Sequence, residues 1–207
     1  MNFILIAMNV FITTAVTAVL WILLNQIFSK NFSNAATLTS ATGLTYNVSA
    51  VVGCLILPLI LDKTKRYRPL IFSTYSIAFI FSLLFMTTLL FKLTYLIFPS
   101  VFVFGACLYG QRVMMYDLVI EVTYPFPEGT SIGLIVSLSY LFASCFIPLL
   151  SWLIDSFNIL FAIIVIETLL LFGLFPLFFI SIKLLRNEAE KTNDLANNEQ
   201  QFDEIEI

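Results

Sequence analysis

The sequence predicts an all-α membrane protein of six transmembrane helices, and three observations predict it. The 207 residues are 60% apolar and only 11% charged, with a mean hydropathy of +0.99, outside the range of soluble domains. Six apolar runs follow one another, at about 3–28, 41–61, 69–91, 95–120, 130–154 and 156–182. Each is long enough to cross a hydrocarbon core about 30 Å thick. The alternating segments of about ten residues that a membrane β-barrel requires are absent from the sequence. A backbone crossing lipid must satisfy its own hydrogen bonds, so the runs read as helices.

The first run, 3–28, follows Met1 directly and carries no charge. It has neither a basic n-region nor a small-residue cleavage site, so it reads as a span rather than a signal peptide. Asn9, Thr13, Thr17, Trp21 and Asn25 recur every four residues in it, a slowly drifting polar stripe with Gln26 beside its last member. The tripeptide 31–33, "NFS", is a glycosylation sequon in the loop after this run. A second sequon at Asn47 falls inside the next span, out of reach of the glycosylation machinery. "DKTKRYR" (62–68) separates the second and third runs.

The fourth run is the least apolar, and polar groups in a membrane helix are its most informative residues. Gln111 and Arg112 lie near its middle, where a bundle interior or a cavity is expected for both. Asp117 and Glu121 are four apart and share one face near the end of the helix. Two neighbouring carboxylates are costly to bury unless a cation, a proton or water is present. Arg112, five residues before Asp117, points to a different face. Pro125 disfavours helix at Tyr124 and ends the span, Pro127 keeps the turn extended, and Glu128 meets the positive N-terminal end of the next helix.

In the fifth run Ser137, Tyr140, Ser144 and Ser151 follow helical spacing, and Gly129 and Gly133 continue the stripe upward as a GxxxG pattern. Close helix packing and a polar wall facing a water-filled path both fit that stripe. Glu167, in the sixth run, shows no evident partner. Residues 1–186 are thus expected to form a bundle. The segment 187–207 holds seven of the thirteen acidic residues and is expected to be a solvated, disordered tail.

Several function classes are excluded. The sequence contains no histidine, which removes the commonest metal ligand and general base. It shows no Gly-rich phosphate loop and no nucleophile elbow. Cys54, Cys107 and Cys145 fall within spans as small apolar fillers. An enzyme, a cofactor, a bound metal and a nucleic-acid partner are all unexpected. Orientation is set by basic residues in the loops. Lys63, Lys65, Arg66, Arg68, Lys183, Arg186 and Lys191 lie on one side, against Lys30 and Lys92 on the other. Both termini are therefore expected in the cytoplasm.

The stretches "LLNQI" (23–27), "GLTYNVSAVVG" (43–53), "LDKTKRY" (61–67) and "EVTYPFPEGTSIGL" (121–134) resemble, in order and spacing, the second half of the feline leukaemia virus subgroup C receptor-related transporters. That family is a branch of the major facilitator superfamily. The resemblance covers about 18–186. It implies twelve helices in two halves, with this chain supplying the C-terminal six and an N-terminal six-helix half as partner. It also implies alternating access and choline or ethanolamine as substrates, with haem proposed for some members and other small solutes for relatives.

By the resemblance, the family's substrate tyrosine falls on Ala18 and its substrate glutamine on Tyr140. Trp21, one turn from Ala18, is expected to replace the lost ring. Trp21, Asn25, Gln26, Gln111, Tyr140 and Ser144 are the candidate residues of a substrate path. Asp62, Lys63, Arg66, Asp117, Glu121 and Glu128 are the candidates for a cytoplasmic gate, in which carboxylates engage basic residues or helix ends, some from the other half. The expected location is the plasma membrane, or an endomembrane. The alternatives are a truncated membrane protein that acts only as an interaction partner, and a half-size transporter that dimerises.

Overall fold

The computed structural model describes residues 2–179 apart from 33, 65 and 158. The acidic segment 187–207 lies outside the described residues. Those described form six helices and no strand: α1 (Asn2–Asn31), α2 (Ala35–Thr64), α3 (Tyr67–Phe91), α4 (Thr94–Thr123), α5 (Glu128–Ser156) and α6 (Ile159–Phe179). Every one contains a stretch long and apolar enough to cross a membrane. At 1.5 Å per residue the 30-residue helices α1, α2 and α4 are about 45 Å long. They outreach the hydrocarbon core and enter the headgroup layers. α2 starts at Ala35 rather than at 41, because "AATLTS" (35–40) is too polar for an apolar run yet contains no helix breaker.

The break between α4 and α5 is set by the prolines. Tyr124 leaves the helix at ψ 133°, as a residue before proline favours, and the Tyr124–Pro125 peptide is cis. Pro127 is also extended, at ψ 127°. Its carbonyl accepts bonds from the Thr130 and Ser131 amides at 3.1 and 3.2 Å, starting α5 at Glu128. The α3–α4 turn closes on Lys92 in the left-handed conformation, φ 56°, with its N–H bonded to the Thr88 carbonyl.

α1 is the hub, packing on α2, α4, α5 and α6, while α4 is clasped between α2 and α3. Lipid tails are as apolar as leucine, so association rests on close packing and interhelical hydrogen bonds. Both are present. α2 and α4 touch at backbone distance, because a Cβ on Gly53 would collide with the Ala106 backbone and one on Gly110 would lie 2.6 Å from the Gly53 carbonyl. Asn9 Nδ2 donates to the Gly173 carbonyl at 2.8 Å, joining α1 to α6. The buried Tyr75 hydroxyl donates to the Leu170 carbonyl at 2.8 Å, joining α3 to α6. Glu167, without an evident partner in the sequence, accepts a 2.5 Å bond from Ser82 Oγ of α3.

Coverage is uneven. Of the most apolar stretch of each helix, 67% is buried in α1 but only 22% in α2 and 17% in α5. Gly129 and Gly133 face open space, with nothing within 4 Å of an added Cβ.

Candidate functional site

The polar stripe of α1 runs from the core to the surface. A four-residue step advances about 40° beyond a full turn, so the stripe rotates as it rises. Asn9, Thr13 and Thr17 are buried, whereas Trp21 and Asn25 are exposed. The inner end meets α4. Gln111 Nε2 donates to Asn9 Oδ1 at 2.8 Å, so Gly173, Asn9 and Gln111 form one chain of hydrogen bonds through α6, α1 and α4. Gln111 is wholly buried, and its place is this joint rather than a cavity wall.

Arg112, one step of about 100° further round α4, faces the middle of the stripe. Its Nη2 donates to the Thr13 carbonyl at 3.0 Å and to Thr17 Oγ1. The guanidinium lies over the Tyr109 ring, 5.0 Å from its centroid, a cation–π contact. Tyr109 Oη in turn accepts a bond from Trp21 Nε1 at 3.0 Å. Trp21 stands edge-on to Tyr46 at 6.3 Å, and Tyr46 edge-on to Tyr109 at 5.6 Å.

These groups border an open cavity of about 370 Å³ whose lining includes Thr17, Ala18, Trp21, Tyr109, Arg112 and Tyr140. Three helices build it: α1, α4 and α5. The two positions that the family resemblance singles out, Ala18 and Tyr140, therefore line one cavity with Trp21. Tyr109 is a wall residue that the sequence reading does not pick out. The available signal is its spacing, three residues before Arg112 and hence on the same face of α4.

The remaining path candidates lie elsewhere. Asn25 Oδ1 accepts from Thr39 Oγ1 at 3.5 Å, between α1 and α2. Gln26 Oε1 accepts from Ser151 Oγ at 3.2 Å, between α1 and α5. Ser144 is exposed and its hydroxyl donates to the Leu141 carbonyl of its own helix at 2.8 Å. Of the six path candidates, Trp21 and Tyr140 alone line the Arg112 cavity.

Of the gate candidates, two share a cavity near the C-terminal end of α4. Asp62 and Asp117 line a second cavity, of about 290 Å³, together with Pro58, Leu61, Tyr116 and Ile120. Asp117 Oδ2 accepts a 3.0 Å bond from the Tyr67 hydroxyl, which ties α4 to the start of α3. Arg68 donates to the Phe178 carbonyl of α6 at 2.8 Å. Lys63 and Arg66 are exposed, Glu121 is half-buried, and Glu128 stands exposed in the first turn of α5, where a helix N-terminus favours an anion.

No family model matches the sequence. Individual proteins do. The chain is 31% identical over 169 residues to the choline/ethanolamine transporter flvcr2a of Danio rerio, covering 82% of this chain and 36% of that protein. It is 24% identical over 188 residues to the uncharacterized MFS-type transporter C09D4.1 of Caenorhabditis elegans, covering 91% of this chain and 32% of that one. The choline/ethanolamine transporter FLVCR1 of Felis catus matches at 28% identity over 124 residues, 60% of this chain and 22% of that protein. The chain spans about a third of the length of the first two and less of the third.

Proposed function

We propose, from the premise that this chain belongs to the feline leukaemia virus subgroup C receptor-related family of major facilitator transporters, that it forms the C-terminal half of a carrier moving a small organic solute across a membrane. The observation that carries the reading is the open cavity walled by α1, α4 and α5, next to helices α2 and α5 that this chain leaves largely uncovered. A second six-helix bundle facing α2 and α5 would close the cavity between two halves. Rocking of the halves about that cavity would expose it to each side in turn.

The names of the relatives put choline and ethanolamine first among solutes to test. Trp21 and Tyr140 offer aromatic faces of the kind that hold an ammonium group. Haem gains no support from this chain, whose sequence has no histidine to serve as an axial ligand.

The second cavity fits a gate. Asp62 and Asp117 sit in one cleft, within the same end of the bundle as Lys63, Arg66, Glu121 and Glu128. In the proposed cycle the carboxylates among these groups latch onto basic residues and helix ends, some of them of the other half, on the cytoplasmic side. Both termini lie in the cytoplasm, and the protein resides in the plasma membrane.

The test is uptake of labelled choline and ethanolamine into proteoliposomes containing the complete gene product. Saturable uptake that empty vesicles lack is the expected result. Folded protein that moves neither of these nor any competing small solute would overturn the carrier reading.

A further inference from the structure

Arg112 is the group that an ammonium carrier would not need. Its guanidinium stays charged at any pH a protein meets, and only 8% of the residue is exposed. Among the described residues it has no ion-pair partner, and no carboxylate lines the cavity it borders. Two neutral oxygens, the Thr13 carbonyl and Thr17 Oγ1, both take bonds from Nη2, while Nε is buried with no acceptor. The Tyr109 ring beneath it offsets part of the charge. A buried charge compensated only this far is costly unless an anion completes it.

The same charge bears on the solute. Two cations in one cavity repel, so the guanidinium opposes a plain quaternary ammonium. Its planar fork matches the paired oxygens of a carboxylate or a phosphate. Trp21 and Tyr140, 48% and 57% exposed, line the same cavity and supply aromatic surface for an apolar or onium end.

We infer that the transported solute carries an anionic oxyacid group that docks on Arg112, with its other end against Trp21 and Tyr140. A zwitterion of the trimethylammonium-carboxylate or phosphocholine type meets both walls. This deepens the proposed carrier function and rests on it for the word transported; binding at the site stands or falls separately.

Three probes isolate the charge: choline, its carboxylate counterpart trimethylglycine, and phosphocholine. Affinities are measured by thermal shift on the detergent-purified complete gene product, and uptake in proteoliposomes. Wild-type protein is expected to bind trimethylglycine or phosphocholine about tenfold or more tightly than choline, a preference of the size expected for a close charge pair. Arg112→Leu should abolish that preference and improve choline binding. Arg112→Lys, which keeps the charge but loses the fork, should keep the ranking at lower affinity, and it guards against misfolding of the leucine variant. Choline bound as well as or better than both anionic probes by the wild type overturns the inference and leaves the carrier reading intact; a carboxylate from the other half paired with Arg112 would give that result. A ranking unchanged in Arg112→Leu, or no binding of any probe, overturns it as well. The predicted ranking without uptake of any probe would sustain the site and overturn the carrier.

Discussion

Gln111 and Arg112 are adjacent, and one helical step sends them to different tasks. Gln111 closes the hydrogen-bonded joint with Asn9, while Arg112 borders the cavity. Both are legible in the sequence as residues too polar for the middle of a span. Their partners are not, because Asn9 and Thr13 lie about a hundred residues away in the chain and no local spacing encodes such a meeting. The joint makes a sharp prediction. Asn9→Leu leaves the buried Gln111 amide without its acceptor and the Gly173 carbonyl without its donor, and should cost about 1–3 kcal/mol, the penalty for a stranded buried polar group. Adding Gln111→Leu should recover the part of that loss that comes from the stranded Gln111 amide, because no polar group is then left there to satisfy, while the Gly173 carbonyl stays without its donor. The midpoint of thermal aggregation in detergent reads both; equal midpoints for the single and double variants would contradict the joint. At the cavity, Trp21→Ala removes an aromatic wall and the donor to Tyr109. Uptake by the complete gene product should fall about tenfold, the effect of losing one good cation–π or stacking contact, and unchanged uptake would remove Trp21 from the path.

Among the helices, glycine shows where surfaces meet. The spacing of Gly129 and Gly133 is the visible small-residue motif, yet this chain leaves both in open space. The tight contact is between Gly53 of α2 and Ala106 and Gly110 of α4. Ala106 and Gly110 are four apart in α4 and form a small-residue pair that the sequence reading passes over, and α2 supplies its partner, Gly53. Gly53→Leu should force α2 from α4 and yield aggregated protein on size-exclusion chromatography. Gly133→Leu should leave the bundle monodisperse, because nothing here occupies that space. If the other half packs on α5, the same variant should reduce uptake by the complete gene product severalfold. Normal uptake would assign that face of α5 to lipid.

Across the bundle as a body, the uneven burial of α1 against α2 and α5 marks a structure with an open side. The proposed latch belongs to this scale, since it works only between halves. Asp62→Asn and Asp117→Asn keep the shape of each side chain and remove its charge, so the bundle should stay folded while the rate of uptake changes severalfold. Rates equal to wild type for both variants would dismiss the latch. The α4–α5 break also operates here. It returns the chain at the end of the bundle where Asp62, Asp117 and Glu128 gather. Its position is legible from Pro125 and Pro127 because proline acts on its own backbone and on the residue before it.

Local chemistry and the lipid solvent dictate helices rather than strands, their order, the turn at the prolines, and the polar residues that lipid cannot accept, so all of these can be read from the amino acids alone. Which of those residues meet is a matter of tertiary packing. An apolar span in lipid has no preferred inward face that composition reveals, because the tails outside are as apolar as the core. The pairing of Asn9 with Gln111, the partly compensated charge of Arg112 over Tyr109, and the open face of α5 all depend on how six similar cylinders turn toward one another.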